Sequence, residues 1–133
     1  MRLKLVLSFA LAIAATPALA ENWKPVAGEP DTYIDTDFTR VDEQTGLVVL
    51  RTAMGKPSGA GYDEWTEKEP IMMSAIDCKA DTYKDLGLDF ENTAALPDGW
   101  RGRASQAGAK IGVGAAGVAA CKAKATLQTV ALP

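Results

Sequence analysis

Acidic side chains are the residues of this chain that most invite a chemical interpretation. Four aspartates recur at every fourth position from Asp77 to Asp89, and Asp35 and Asp37 form a second group. Carboxylates in sets can hold Ca²⁺ or act as an acid–base couple. The spacing of an EF-hand loop is absent, however, so we interpret these residues as the solvated face of strands. Asp77 is the exception, because we expect its carboxylate to accept N–H bonds from a neighbouring loop.

Histidine does not occur in the sequence. The commonest general base and the commonest metal ligand are therefore both missing, and no serine or cysteine has a histidine to activate it. We accordingly expect a protein that is not an enzyme and that uses neither a metal nor a cofactor.

Two glycine-rich stretches resemble nucleotide-binding motifs without meeting their requirements. Residues 112–117 (GVGAAG) fit GxGxxG, but the dinucleotide motif needs a βαβ unit and an acidic residue about 20 positions later. No acidic residue follows Asp98. Residues 55–59 (GKPSG) lack the order GxxxxGK[ST]. We interpret residues 112–117 as small residues that let the last helix approach the sheet, and residues 55–61 as a flexible hairpin loop.

The aromatic pair Tyr62 and Trp65 stands directly after that loop. Such a pair is either part of a protein-binding edge or a cover for the open end of the sheet. Because recognition often resides in loops on a rigid scaffold, our hypothesis is that residues 55–65 and a sheet edge engage another protein.

Cys78 and Cys121 are the only cysteines. In an exported chain two cysteines most often form one disulfide, which here would close a loop of about 43 residues and contribute about 4 kcal/mol. Two free thiols or a metal site are the alternative, although neither cysteine belongs to a CxxC pair.

Strands must position most of these residues. We predict a central pair over residues 71–78 and 83–90, preceded by strands at 22–26, 32–34 and 47–54. A helix is predicted over 115–124, followed by a frayed tail at 125–133. Side chains on the second central strand should alternate between the two faces of the sheet. We expect the buried face to hold Leu86, Leu88 and Phe90. The exposed face should hold Asp85, Gly87 and Asp89. On strand 47–54, Val48, Leu50, Thr52 and Met54 should share one face.

The first twenty residues are typical of a secretory signal, which leaves residues 21–133 as one domain. Arg2 and Lys4 precede an apolar run over residues 5–15, and residues 18–20 (ALA) form the cleavage site. The run is shorter than the roughly 20 residues that span a membrane. No cysteine stands at the cleavage site for a lipid anchor. We therefore expect export to the periplasm or secretion, with no transmembrane segment in the mature chain.

Removal of the signal makes the chain more acidic. It takes away two of the 14 basic residues and none of the 17 acidic ones, which leaves a net charge of −5 (12 basic against 17 acidic). Such a domain is poorly suited to nucleic acid, heparin or anionic lipid, which call for basic patches.

The order of several short segments resembles the surface-adhesin protein E-like family of small exported bacterial proteins, from Trp23 to Lys122. The segments that carry the resemblance are Trp23 to Val26, Tyr33-Ile34-Asp35, the Val48–Leu50 strand, Asp77-Cys78 and the late Cys121. The most specific of them is the apolar strand that ends in Asp-Cys, spaced from a near-terminal cysteine.

The resemblance implies an α+β fold, in which a C-terminal helix packs on an antiparallel sheet of about six strands and a disulfide joins the two. It also implies an adhesin that binds host proteins such as vitronectin, laminin and plasminogen, often as a dimer. The best-known members are lipoproteins, whereas this chain has no lipobox cysteine. A soluble periplasmic stress or inhibitor protein without an adhesive role is therefore the alternative.

Overall fold

The computed structural model describes residues 21–55, 71–90 and 92–133 of the chain. The predicted signal sequence and the loop residues Tyr62 and Trp65 lie outside these described residues. The strands are β1 (Trp23–Val26), β2 (Glu29–Asp35), β3 (Arg40–Asp42), β4 (Val48–Met54), β5 (Ile71–Asp77), β6 (Thr82–Asp89), β7 (Gln106–Ala107) and β8 (Thr129–Val130). The helices are α1 (Ala109–Gly112) and α2 (Gly114–Ala123), and 3-10 turns span Trp100–Gly102 and Lys124–Thr126.

All of these strands belong to one sheet, whose main path runs β1-β2-β4-β5-β6-β7. Every pairing on that path is antiparallel, whereas β3 pairs with β4 and also, in parallel, with β8. The predicted α+β fold is confirmed. The short strands β3, β7 and β8 raise the number of strands above the six or so that we expected.

The helices cover one face of the sheet, where small side chains allow close packing. Val48 and Leu50 of β4 are fully buried there, together with Ile76 of β5, against Ala116 and Ala120 of α2. Because the opposite side of β4 is buried as well, this strand lies at the centre of the fold, as an almost continuous apolar run indicates.

Two glycines set the distance between helices and sheet. A Cβ atom on Gly112 would overlap the Tyr83 ring, and a Cβ atom on Gly117 would lie 3.0 Å from the Cδ1 atom of Ile76. Side chains at these positions would push the helices off the sheet, since the interior is already closely packed. Our interpretation of residues 112–117 as a packing surface is confirmed.

The predicted disulfide between Cys78 and Cys121 is present. Its S–S distance is 2.05 Å, and the two Cα atoms lie 5.6 Å apart, within the usual range. Cys78 directly follows β5 and Cys121 lies in α2, so the bridge joins helix to sheet across a separation of 43 residues.

A β-bulge interrupts β6. Met73 of β5 pairs with Gly87, but the next residue, Ser74, pairs with Asp85, so Leu86 is an extra residue in the ladder. Gly87 has a φ of 92°, which only glycine adopts at little cost. This combination is typical of a β-bulge, after which the side chains of the strand point to the opposite faces of the sheet.

The bulge reverses the predicted facing of the end of β6. Leu86 is buried and Asp85 is exposed, as predicted. Leu88 and Phe90, however, are 47% and 61% exposed, whereas Asp89 is buried. Our prediction for these three residues is wrong, because one extra residue moves a period-two pattern to the other face.

The segment from 125 to 133 is docked rather than frayed, which corrects a second prediction. The N–H group of Val41 donates to the Gln128 carbonyl at 2.8 Å, and β8 continues this contact alongside β3. The Trp100 indole then donates to the Pro133 carbonyl at 2.9 Å. Alternation could not predict this docking, since the segment is held mainly through its main chain.

Candidate functional site

Large apolar side chains are exposed at neighbouring positions on the helix-bearing face of the sheet. The exposed fractions are 44% for Met54, 42% for Met72, 47% for Leu88 and 61% for Phe90. The strand register places Met72 opposite Leu88 on one side and opposite Thr52 on the other, and Met54 lies two residues beyond Thr52 on the same face. Phe90 comes directly after β6. We call Met54, Met72, Leu88 and Phe90 the apolar patch.

Within the part of the chain that the structure describes, the helices lie over the other end of the strands and leave the patch exposed. Helix α2 packs over Val48 and Leu50, near the start of β4. Met54 lies six residues beyond Val48, which is about 20 Å along an extended strand. A helix of only ten residues placed over Val48 does not reach this end of the sheet.

A groove adjoins the patch at the outer side of β6. It has a volume of about 560 Å³ and is lined by Leu88 and Phe90 from the patch and by Leu96, Pro97 and Arg103, among others. Its position extends the exposed apolar surface from the face of the sheet around the edge of β6.

The outer edge of β6 is blocked over part of its length. Strand β7 pairs only with Thr82 and Tyr83. Beyond them, the guanidinium group of Arg103 donates to the Asp85 carbonyl at 2.9 Å, and the Asp85 carboxylate accepts the Gly87 N–H at 2.8 Å. Bulges and such caps keep an edge strand from pairing with another chain. The geometry therefore favours contact through the side chains of the patch over strand addition at these residues.

A buried ion cluster lies on the opposite face of the sheet, behind the patch. Arg51 of β4 is fully buried, and its Nη2 lies 2.5 Å from a carboxylate oxygen of Asp35. Its Nη1 donates to Asp89 at 3.2 Å and to the Asn92 side chain at 2.8 Å. Our interpretation of Asp35 and Asp89 as solvated is wrong, because a buried arginine on β4 recruits both.

The two carboxylates of this cluster also hold main-chain groups. Asp89 accepts the N–H groups of Thr93 at 2.9 Å and Ala94 at 2.7 Å. Asp35 accepts the N–H groups of Asn22 at 3.1 Å and Phe38 at 3.3 Å. With several donors on each carboxylate, the cluster fixes the strand ends.

The ring faces of two aromatic residues complete the surroundings of Arg51. The guanidinium carbon lies 5.3 Å from the centre of the Trp23 ring and 5.0 Å from that of the Phe38 ring. Both distances are in the range of a cation–π interaction. The cluster therefore ties β1 and the turn after β2 to the centre of the sheet.

A second ion pair holds the docked end of the chain. Arg101 donates to the buried Asp42 at 2.6 Å and 3.0 Å, and also to the Leu132 carbonyl at 2.7 Å. These hydrogen bonds from Arg101 are the main reason why the pKa of Asp42 is lowered to about 2. The same pairing raises the pKa of Arg101.

Asp77 has the structural role that we predicted for it. Its Oδ1 accepts the N–H groups of Lys79 and Ala80, each at 3.0 Å. These bonds fix the turn between β5 and β6, and the bond from Ala80 is the largest cause of a lowered pKa of Asp77.

Across residues 21–55, 71–90 and 92–133, no three acidic or cysteine side chains are arranged to hold a metal ion. Each helix in this part of the chain falls short of the length and apolar character that a membrane crossing requires.

The structure brings together one of the predicted pairs and adds a surface that the sequence did not reveal. Cys78 and Cys121 are joined, whereas Tyr62 and Trp65 lie outside the described residues. Leu88 and Phe90 were assigned to the core, so the patch was missed. The one available signal was Gly87, since a glycine inside a strand often marks a bulge.

No family model matches the chain, and neither the curated proteins nor the solved structures include a significant match to it.

Proposed function

We propose that this protein is an exported, non-catalytic domain that binds another protein. The observation that carries the proposal is the apolar patch of Met54, Met72, Leu88 and Phe90, whose side chains are 42–61% exposed. Exposed apolar side chains scattered singly need no explanation, but several at neighbouring positions mark interaction surfaces.

The composition of the patch suits a protein interface. Methionine and aromatic residues are enriched at interfaces, and methionine adapts its shape to different partners. The support beneath is rigid, because β5 is paired on both sides and the Arg51 cluster fixes the strands from the other face. A rigid support lowers the entropic cost of binding.

The resemblance to the surface-adhesin protein E-like family suggests the class of partner, namely host matrix or serum proteins. The disulfide supports an oxidising compartment, since such bonds are rare in cytosolic proteins. The net charge of −5 after removal of residues 1–20 (12 basic against 17 acidic) favours partners with basic surfaces. Association should then slow down as the salt concentration rises.

Interferometry with residues 21–133 tests the proposal against immobilised vitronectin, laminin and plasminogen. The variant that tests the patch carries Leu88→Ser and Phe90→Ser together. Loss of both contacts should weaken binding by roughly thirtyfold to a thousandfold, since each buried side chain of this size contributes about 1–2 kcal/mol. Tyr62→Ala and Trp65→Ala test the loop hypothesis in the same assay.

Ile111→Ser is the matched control, because Ile111 is 90% exposed on α1, outside the patch. It should bind like the parent chain. Failure of all three ligands to bind would refute the adhesin assignment, and equal binding of the patch variant and the parent would refute the role of the patch.

The alternative is a periplasmic stress or inhibitor protein. The sequence feature that favours it is the lack of a cysteine at the predicted cleavage site, where the best-known members of the resembled family are lipid-modified. Cell fractionation separates the two functions, because a surface protein should be accessible to protease on intact cells and a periplasmic one should not.

A further inference from the structure

A second, smaller cavity lies between the helices and the turn that joins β5 to β6. Its volume is about 310 Å³. The apolar part of its lining consists of Ile76, Ala109, Gly117, Val118 and the disulfide of Cys78 and Cys121. We call this cavity the disulfide cleft.

The cleft is held open by features that are already fixed in the fold. The disulfide keeps the Cα atoms of Cys78 and Cys121 at 5.6 Å, so this end of α2 cannot move relative to the sheet. Gly117 already packs closely on Ile76. A ligand would therefore enter a preformed cavity at the lower end of the size range of ligand pockets.

Two lysines and one aspartate are the charged residues that line the cleft. Lys110 and Lys122 line the cleft and are exposed, and neither ammonium group forms an ion pair or hydrogen bond within the described residues. Asp81 is the acidic residue at this entrance, and its carboxylate accepts the main-chain N–H of Lys110 at 3.2 Å. No acidic residue follows Asp98 in the sequence, so the helices add only positive charge.

We propose that the disulfide cleft binds a small amphipathic carboxylate, with a short alkyl tail inside and its head group beside Lys110 and Lys122. The apolar lining suits the tail, and the two ammonium groups complement the charge of the head. The site is distinct from the apolar patch and does not depend on the proposed protein-binding function.

Titration of residues 21–133 with butyrate, hexanoate and octanoate, followed by amide chemical shifts, tests the proposal. Binding should saturate at one ligand per chain and shift resonances around Val118 and Ala109. Each methylene that enters the cleft should tighten binding about fourfold, the equivalent of about 0.8 kcal/mol. Hexylammonium, which has the opposite charge and a tail that is one carbon longer, should nevertheless bind at least tenfold more weakly than hexanoate.

Two variants test which residues contact the head group and which contact the tail of the ligand. Lys122→Gln should weaken binding of hexanoate at least threefold and leave binding of hexanol unchanged, whereas Lys24→Gln on β1 should affect neither ligand. Val118→Phe should fill the cleft and abolish the binding of both hexanoate and hexanol. If Val118→Phe does not fold, the Lys122→Gln comparison still decides. Equal affinity for hexanoate and hexylammonium, or shifts confined to other parts of the protein, would overturn the proposal.

Discussion

Replacement of Asp89 by alanine should destabilise the protein far more than replacement of the exposed residues of β6. Asp89 is 5% exposed and lies 3.2 Å from Nη1 of Arg51, on the face opposite the apolar patch. It also accepts two main-chain N–H groups, from Thr93 and Ala94. The substitution thus removes one partner of a buried ion pair and leaves two donors without their acceptor.

The expected loss in the free energy of unfolding follows from the groups that stay buried after the substitution. Removal of one partner from a buried ion pair typically costs about 3–5 kcal/mol, because the remaining charge is left uncompensated. Arg51 keeps its contact with Asp35 at 2.5 Å, which moderates that cost. Each main-chain donor without an acceptor adds about 1 kcal/mol. We therefore expect a loss of roughly 3–5 kcal/mol in the free energy of unfolding.

Urea denaturation followed by tryptophan fluorescence measures this loss. With a urea dependence of about 1–3 kcal/mol per molar, the midpoint should fall by roughly 1–5 M. Two variants on the same strand are matched controls. Asp85→Ala and Leu88→Ala change exposed side chains, so each should alter the free energy of unfolding by less than about 1 kcal/mol.

The reasoning is refuted if Leu88→Ala costs as much as Asp89→Ala. That result would mean that the alternation of β6 continues through Gly87 without a bulge, with Leu88 inside and Asp89 in solvent.

Three further predictions concern the rest of the fold. Cys121→Ser should lower the free energy of unfolding by about 4 kcal/mol, measured by urea denaturation, and thiol titration of the unreduced parent should find no free sulfhydryl. Gly117→Ala should cost roughly 1–3 kcal/mol in the same assay, because the new Cβ would crowd Ile76. Because the pKa of Asp42 falls from 3.8 to about 2 on folding, its pairing with Arg101 stabilises the protein above pH 4. That contribution, about 1–2 kcal/mol after allowance for solvent screening, should disappear from pH 4 to pH 2, and in Asp42→Asn it should be absent throughout.

Each of these three predictions would be contradicted by a specific result. Two free thiols in the parent would rule out the crosslink. Gly102→Ala meets no atom within 4 Å, so equal losses from Gly102→Ala and Gly117→Ala would show that crowding is not the cause. An unchanged difference between the parent and Asp42→Asn from pH 6 to pH 2 would show that Asp42 ionises normally.

The sequence predicted the parts of the fold that depend on local pattern. The apolar run of β4, the helix of small residues and the pairing of Cys78 with Cys121 could all be read directly, because periodicity and the cysteine count determine them. The facing of the residues at the end of β6 could not be predicted from the sequence, because the bulge at Gly87 arises from the pairing of β6 with β5. The patch at Leu88 was missed for the same reason.

The buried ion cluster was unpredictable for a different reason. Arg51 stands in an apolar strand, and its carboxylate partners Asp35 and Asp89 are 16 and 38 residues away in the chain. Only the tertiary fold brings them together. Carboxylates on strands are exposed far more often than they are paired in the interior. This general rule therefore led to the wrong prediction for Asp35 and Asp89.

The docked end of the chain affects the order in which the protein can be completed during synthesis. Strand β8 lies beside β3, which comes early in the chain, and Arg101 joins Asp42 to the Leu132 carbonyl. A nascent chain that stops before residue 128 would leave the edge of β3 unpaired. It would also leave the indole of Trp100 without its acceptor, the Pro133 carbonyl. Folding on this face therefore cannot finish before residues 128–133 have been made. An interrupted chain would carry an open strand edge that quality-control proteases and chaperones can recognise.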